Sequence, residues 1–282
     1  MNRYWIISVI FFLVIASASA QKDPRVNVKP LNISGFNAQF TADGAYLVFT
    51  SPNYGGLYYY HFKSKSQQVI TEASGAGFNA RVERGMVIYQ KEKEVNEWIA
   101  FDLGTRETND YISQTDVQKS ASSLTTKNTR DEDPVIEATP TSDLRAIKLT
   151  FASGLSKLIA PLGINDYLNV SISPSRHQLL FRVSGVGTYV TDFDGNIISD
   201  LGNVEFPKWA GNDKILCTET VDDGYNYIES EIFLKTIDDG MKWPLTEETD
   251  AIALYPNIND ALDKVVFNTP GGELYLVEIN GL

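Results

Sequence analysis

The chain has 282 residues, 36 acidic and 24 basic side chains, and a formal net charge of −12. This acidity argues against binding to nucleic acid and against docking on anionic lipid, because both carry negative charge. With one cysteine in the whole chain, an intramolecular disulfide is excluded, so a hydrophobic core has to stabilise the fold.

The first 20 residues have the organisation of a signal peptide. The basic start Asn2-Arg3 is followed by an apolar run from Tyr4 to Ile15 and by the small residues Ala18-Ser19-Ala20. The apolar run is shorter than the ~20 residues that cross a bilayer. We therefore predict a signal peptide over 1–20, a single domain over 21–282 without a membrane span, and a periplasmic or secreted protein that lacks a lipobox.

A unit of four short strands recurs along the rest of the chain. In its first copy, residues 36–71, an Asp43-Gly44 turn, a Pro/Asn/Gly-rich loop and a polar turn separate the strands. Five further copies start at Phe78, Asp133, Leu168, Val204 and Leu254. A β-sandwich would explain the density of strands but not a repeat of this kind. Repeats of some forty residues with four strands each are typical of propeller blades, so we predict an all-β, six-bladed β-propeller with four antiparallel strands per blade.

The sixth copy predicts how the ring closes. This copy ends after its third strand, Glu273 to Ile279, whereas Arg25 to Leu31 form an alternating apolar segment ahead of the first copy. A propeller has to close to cover its strand edges. We therefore predict that the N-terminal segment supplies the missing strand of the last blade.

Three copies carry the clearest motifs of the repeat. They read FTADGAYLVFTS with GLYYYHF, SISPSRHQLLF with TYVTDFDGN, and EIFLKTIDDGMKWPLT. These motifs resemble the TolB-like, WD-type propeller repeat, and the resemblance spans Val26 to Leu282. It implies a six-bladed propeller of an exported protein. TolB itself carries an α/β domain before its propeller, and the segment ahead of the first copy is too short for one, which puts a role in the Tol system in doubt.

Motifs for chemistry are sparse. The chain has no Gly-x-Ser-x-Gly nucleophile elbow, and its two histidines, His61 and His177, fall in separate copies. The acidic segments at Asp192 and Asp238 occupy the positions of hairpin turns and lack the later ligands of a calcium loop. We therefore predict no catalytic residues, no cofactor and no metal.

The loops suggest a binding face instead. In a propeller, the loops between second and third strands and the connections between blades lie on one face, around the central channel. Two long segments map to this face: 109–132, whose composition predicts disorder, and 219–229, which is rich in acids and tyrosines. The predicted ligand-binding residues are Tyr54, Trp98, Asp222, Asp223, Tyr225 and Tyr227.

These observations lead to three hypotheses about function. The first is an exported, non-catalytic and monomeric propeller that binds a protein or a cell-envelope polymer through the loop-rich face. The second is an enzyme that acts on a carbohydrate or a peptide at the central channel, and the third is a structural subunit of an envelope complex. Paired carboxylates in the channel would favour glycoside chemistry, and a lining of small and apolar residues would favour binding.

Overall fold

The computed structural model describes residues 24–83, 85–90, 97–110 and 133–281. Within these ranges, β-strands form six antiparallel sheets, and the one helical segment is a 3-10 helix at Pro52–Tyr54. The predicted signal peptide and residues 111–132 of the segment predicted to be disordered lie outside the described residues. Among the described residues, no helix combines the length and apolar character needed to cross a membrane.

The first three sheets follow one another along the chain. Blade 1 contains β2 (Phe36–Phe40), β3 (Tyr46–Thr50), β4 (Leu57–His61) and β5 (Ser66–Thr71). Blade 2 contains β6 (Arg81–Glu83), β7 (Met86–Gln90), β8 (Trp98–Asp102) and β9 (Thr108–Asp110). Blade 3 has three strands among the described residues, β10 (Val135–Pro140), β11 (Ile147–Phe151) and β12 (Ser156–Ile159).

The other three sheets have four strands each. Blade 4 contains β13 (Tyr167–Ile172), β14 (Leu179–Val183), β15 (Gly187–Thr191) and β16 (Ile197–Gly202). Blade 5 contains β17 (Glu205–Ala210), β18 (Lys214–Asp222), β19 (Tyr227–Thr236) and β20 (Lys242–Pro244). Blade 6 contains β21 (Leu254–Ile258), β22 (Lys264–Asn268), β23 (Glu273–Asn280) and, from the other end of the chain, β1 (Arg25–Ser34). The predicted six-bladed propeller and its closure by the N-terminal strand are both confirmed.

Turn chemistry explains why the first two strands of a blade form a hairpin. In blade 1, Thr41 Oγ1 accepts a hydrogen bond from the Tyr46 N–H at 3.0 Å, and Asp43 Oδ1 accepts one from the Ala45 N–H at 3.0 Å. The Thr41 hydroxyl donates to Asp43 Oδ1, and this bond, followed by the bond from the Ala45 N–H, favours the carboxylate and lowers the pKa of Asp43. Gly44 has φ of 65°, a conformation that glycine adopts without steric cost.

The core lies between the blades. Successive residues of a strand point to opposite faces of its sheet, so the middle strands pack against both neighbouring blades. In β3, Leu47 packs in a cluster with side chains of blade 6, whereas Val48 packs in a cluster with side chains of blade 2. This two-sided burial explains why most second strands have apolar residues on both faces rather than on alternate positions.

The single cysteine, Cys217, lies inside this core, between blades 4 and 5. Burial raises the pKa of its thiol to about 12. Because the thiolate is the reactive form, we predict that the native protein does not react with a thiol reagent at neutral pH and reacts at once after denaturation. A colorimetric thiol assay with and without denaturant measures this, and rapid labelling of the native protein would contradict the burial.

Candidate functional site

A cavity of about 640 Å³ lies where the innermost strands of the blades converge on the propeller axis. Its volume falls within the ~300–1,000 Å³ typical of small-molecule sites. Tyr54 of the 3-10 helix contributes to the wall, so the cavity opens toward the face of the inter-blade connections. The other lining segments are 37–39 of β2, 77–80 ahead of β6, 169–171 of β13, 206–209 of β17 and 255–257 of β21.

The innermost strands place one side chain per blade at an equivalent register position. In blades 1, 2, 5 and 6 this residue lies opposite the third residue of the second strand. In blades 3 and 4 it lies opposite the second residue, because the second strand there begins one residue later. The six residues are Gln39, Arg81, Thr139, Ser171, Lys208 and Asn257. All six are polar, two are basic and none is acidic, which contrasts with the acidic chain as a whole.

In blades 1 and 6 the residue of this ring bonds to the next blade. Gln39 Nε2 donates to the Ala80 carbonyl at 3.0 Å, and the Val82 N–H donates to Gln39 Oε1 at 3.3 Å. In the same way, Asn257 Oδ1 accepts a bond from the Phe40 N–H at 3.4 Å. These bonds hold neighbouring innermost strands together, so Gln39 and Asn257 have a structural role at the cavity wall.

Lys208 occupies the same register position without such a bond. Within the described residues, its ammonium group has no hydrogen bond and no ion pair, whereas Arg81 lies 3.5 Å from Glu83 and 4.9 Å from the centre of the Trp98 ring. The cavity keeps Lys208 accessible to water, but the surrounding protein desolvates the ammonium and lowers its pKa. A cation with a solvent path and no protein partner is suited to bind an anion.

A bulge precedes the ring position in four of the blades. Asn37, Asn169, Phe206 and Tyr255 each lie two residues before it, and all have positive φ, between 50° and 53°. The strand register shifts around each of them. Asparagine tolerates this left-handed conformation, but for other non-glycine residues it costs about 1–2 kcal/mol.

Two aromatic pairs line the cavity. The rings of Phe206 and Tyr255, from blades 5 and 6, lie 4.3 Å apart at 46°. The rings of Tyr54 and Phe78, from blade 1 and the connection to blade 2, lie 5.5 Å apart in an edge-to-face arrangement. Tyr255, Tyr54 and Phe78 are 44%, 39% and 41% exposed, so their rings are available to a ligand.

A charged cluster lies behind the first aromatic pair. Glu205, next to Phe206 in β17, forms an ion pair with Arg182 at 2.9 Å, and its other oxygen accepts a bond from the Tyr227 hydroxyl at 3.4 Å. Desolvation, followed by the charge of Glu205, raises the pKa of Tyr227. The carboxylate of Glu205 is therefore already paired, and Glu205 is not among the residues that line the cavity.

The six residues predicted from the sequence occupy different places. Tyr54 lines the cavity, and Tyr227 belongs to the cluster behind it. Trp98 starts β8 and stacks with Arg81 rather than lying in the preceding loop. Their ligand contacts stay predictions.

The remaining three, Asp222, Asp223 and Tyr225, lie at the tip of the β18–β19 hairpin. Here β18 and β19 continue much further than the sequence suggested, so the expected long loop is a short turn. Asp222 Oδ1 accepts a bond from the Gly224 N–H, and Asp223 Oδ1 accepts bonds from the Tyr225 and Asn226 N–H groups. These carboxylates stabilise the turn, while the Tyr225 side chain is 94% exposed.

Carboxylates are absent from the described lining of the cavity, where Lys208 is the one charged side chain. In the part of the chain that the structure describes, no group of three or more His, Cys, Asp or Glu side chains is arranged to hold a metal ion. The sequence did not single out Lys208, whose surroundings depend on the register of β17. The signal that was available is the recurrence of polar residues at one position of the innermost strands.

Comparison with solved structures identifies the same fold in an enzyme. The crystal structure of oligogalacturonate lyase from Vibrio parahaemolyticus matches with a TM-score of 0.59 and 9% sequence identity, over 91% of this chain and 97% of that chain. No family model matches the chain, and neither does any curated protein. At this level of identity, the likeness demonstrates the six-bladed propeller and leaves the TolB-like family assignment as a resemblance.

The comparison and the cavity correct the first hypothesis about function. A non-catalytic propeller that binds its partner through the loops was the leading expectation, and it is wrong on these findings. The structural neighbour is an enzyme, and Lys208, which has no partner among the described residues, lies in the central cavity rather than at the loop tips. The alternative, an enzyme with its site at the central channel, stands as a proposal.

Proposed function

We propose that this protein is an enzyme that acts on an acidic carbohydrate in the central cavity. The observation that carries the proposal is Lys208, an ammonium group that is open to the cavity and has no partner among the described residues, in a cavity whose described lining has no carboxylate. A sugar carboxylate would pair with this cation. Asn37, Asn79 and Asn169 supply amide groups that suit sugar hydroxyls at the same wall.

The absence of paired carboxylates from the described lining guides the choice of reaction. Glycoside hydrolysis in most enzymes requires two carboxyl groups, about 5–9.5 Å apart, that flank the bond to be broken. Elimination at the carbon next to a carboxylate requires a base and a cation that stabilises the charge developing on that carboxylate. Lys208 supplies the cation, so elimination fits the cavity better than hydrolysis.

The reaction that we propose is a β-elimination within an acidic oligosaccharide. The described lining has no carboxylate or histidine, so water or hydroxide in the open cavity acts as the base. It removes the proton from the carbon that carries the carboxylate, and the electron pair forms a double bond to the neighbouring carbon. The glycosidic oxygen on that neighbouring carbon leaves with its electron pair and takes up a proton from water. The Lys208 ammonium stabilises the negative charge that builds up on the carboxylate during the first step.

The oligogalacturonate of the structural neighbour's name provides the first substrate to test. We expect incubation with oligogalacturonates to produce the ultraviolet absorbance of the conjugated double bond that elimination creates. Carboxyl-reduced oligosaccharides of the same length are the matched control and should give no signal. New reducing ends without this absorbance would indicate hydrolysis, and no cleavage of any acidic oligosaccharide would contradict the proposal.

Export and kinship with TolB-like propellers remain proposals alongside this function. They are supported by the pattern of residues 1–20 and by the repeat motifs. A monomeric state likewise stays a prediction. Tyr54 is the predicted ligand residue that best fits the proposed site, because its exposed ring lines the cavity.

A further inference from the structure

We infer that the two aromatic pairs of the cavity are separate subsites, each of which stacks on a sugar ring, so that the site prefers an oligosaccharide to a single sugar. This inference rests on the proposed function and extends it to the length of the substrate. One pair is Phe206 with Tyr255, and the other is Tyr54 with Phe78. The faces of sugar rings are apolar enough to pack against aromatic rings, which are themselves rigid and amphipathic.

The backbone provides the first argument. Four innermost strands share a bulge, and in two of them the left-handed residue is an asparagine, Asn37 or Asn169. Blades 5 and 6 place Phe206 and Tyr255 there instead, at φ of 50° and 53°. The fold itself does not require an aromatic residue at this position, because the other two blades form the same bulge with asparagine. Unfavourable backbone conformations of this kind concentrate at ligand sites.

The position of the two pairs provides the second argument. Phe206 lies two residues before Lys208 in β17, so the first pair adjoins the proposed carboxylate site. The second pair comes from blade 1 and the connection to blade 2, which is a different sector of the ring. A ligand held by Lys208 and by both pairs has to extend across the cavity. A single sugar stacks on one pair, whereas a chain of sugars reaches both.

The test compares the affinity for galacturonate with the affinity for oligogalacturonates of graded length. Binding is followed by tryptophan fluorescence immediately after mixing, before product forms. In the wild type we expect affinity to rise with chain length. Tyr54→Asn, at the second pair, should lower the affinity for the longer chains about tenfold and affect galacturonate little. Phe206→Asn and Tyr255→Asn, which introduce the residue found at the equivalent bulges beside Lys208, should lower the affinity for galacturonate as well as for the longer chains. Their melting temperatures should equal or exceed that of the wild type, because asparagine relieves the backbone.

Two further variants separate stacking from other effects. Tyr255→Phe keeps the ring and should retain the preference for longer chains. Tyr225→Asn makes the same change at the exposed tip of the β18–β19 hairpin, outside the cavity, and should bind as the wild type does. The inference is overturned if the wild type shows no length preference, if Tyr255→Phe loses it, if Tyr54→Asn keeps it, or if Phe206→Asn and Tyr255→Asn bind galacturonate as the wild type does.

These outcomes distinguish the inference from the proposed function. A length preference that disappears in Tyr54→Asn, without any elimination product, would support the subsites and contradict the enzyme. Elimination without a length preference would support the enzyme and contradict the subsites.

Discussion

Replacement of Lys208 with methionine is expected to lower the turnover of an acidic oligosaccharide by about 10²- to 10³-fold, the loss typical when one group that stabilises developing charge is removed. Methionine keeps most of the length of the side chain and removes the charge. The fold should not suffer, because the ammonium group has no partner among the described residues and its desolvation opposes its charged form. The measurements are the rate of double-bond formation and the melting temperature. A variant with the wild-type rate would show that Lys208 does not act on the substrate.

The pH dependence of substrate affinity tests the same role of the Lys208 cation in a protein that still carries the lysine. Lys208 binds a carboxylate only when it is protonated, so affinity should be constant between the pKa of the sugar carboxylate and that of Lys208, and fall as the pH rises through the pKa of Lys208. Because desolvation lowers the pKa of Lys208, this fall should begin at a lower pH than for an ordinary lysine. In Lys208→Arg the guanidinium remains charged over this range, so the fall should disappear. An identical pH profile in the two proteins would contradict the assignment.

The blades were predictable because their determinants are local. The Asp43-Gly44 hairpin turn depends on residue types at fixed spacing, and the apolar second strands reflect burial on both faces. Closure was predictable because the sixth copy lacks a strand, and an open propeller would leave strand edges unpaired. Each of these inferences needs only the order of residues along one segment or a count of strands.

The cavity was not predictable in the same way because it depends on contacts between blades. In the sequence, Lys208 resembles any surface lysine, and its lack of a partner emerges only when the six innermost strands meet. The left-handed backbone at Phe206 and Tyr255 is likewise hidden, since aromatic residues do not indicate a bulge as glycine or asparagine do. Asp222 and Asp223 were predicted to bind a ligand from the acidic composition of their segment, whereas their bonds to the turn depend on the length of β18 and β19. Their ligand contacts stay predictions.

Deletion of β1 is expected to have the largest effect on stability. This strand pairs with β23 from Arg25 opposite Asn280 to Ser34 opposite Glu273, and so joins the two ends of the described chain. Its register shifts between Pro30 and Ser34, where Asn32 has φ of 56°. The shift changes which face of the sheet its apolar residues occupy. Val26 and Val28 pack between blades 5 and 6, whereas Leu31 and Ile33 pack between blades 6 and 1.

A protein without residues 1–34 should therefore lose cooperative unfolding, in comparison with a protein without residues 1–23. The deletion removes a ladder of backbone hydrogen bonds, each worth about 1 kcal/mol, and uncovers two inter-blade clusters. The summed loss in the free energy of unfolding is comparable to the ~5–15 kcal/mol that stabilises a typical protein.

Cys217 provides the readout, because its thiol reacts only when the core opens. A synthetic peptide of residues 24–34 added in trans should restore protection of this thiol. Lys29→Ala, which removes the partly exposed ion pair with Glu278, should change stability by at most about 1 kcal/mol. Equal melting temperatures for the two truncated proteins would show that blade 6 closes the ring without β1.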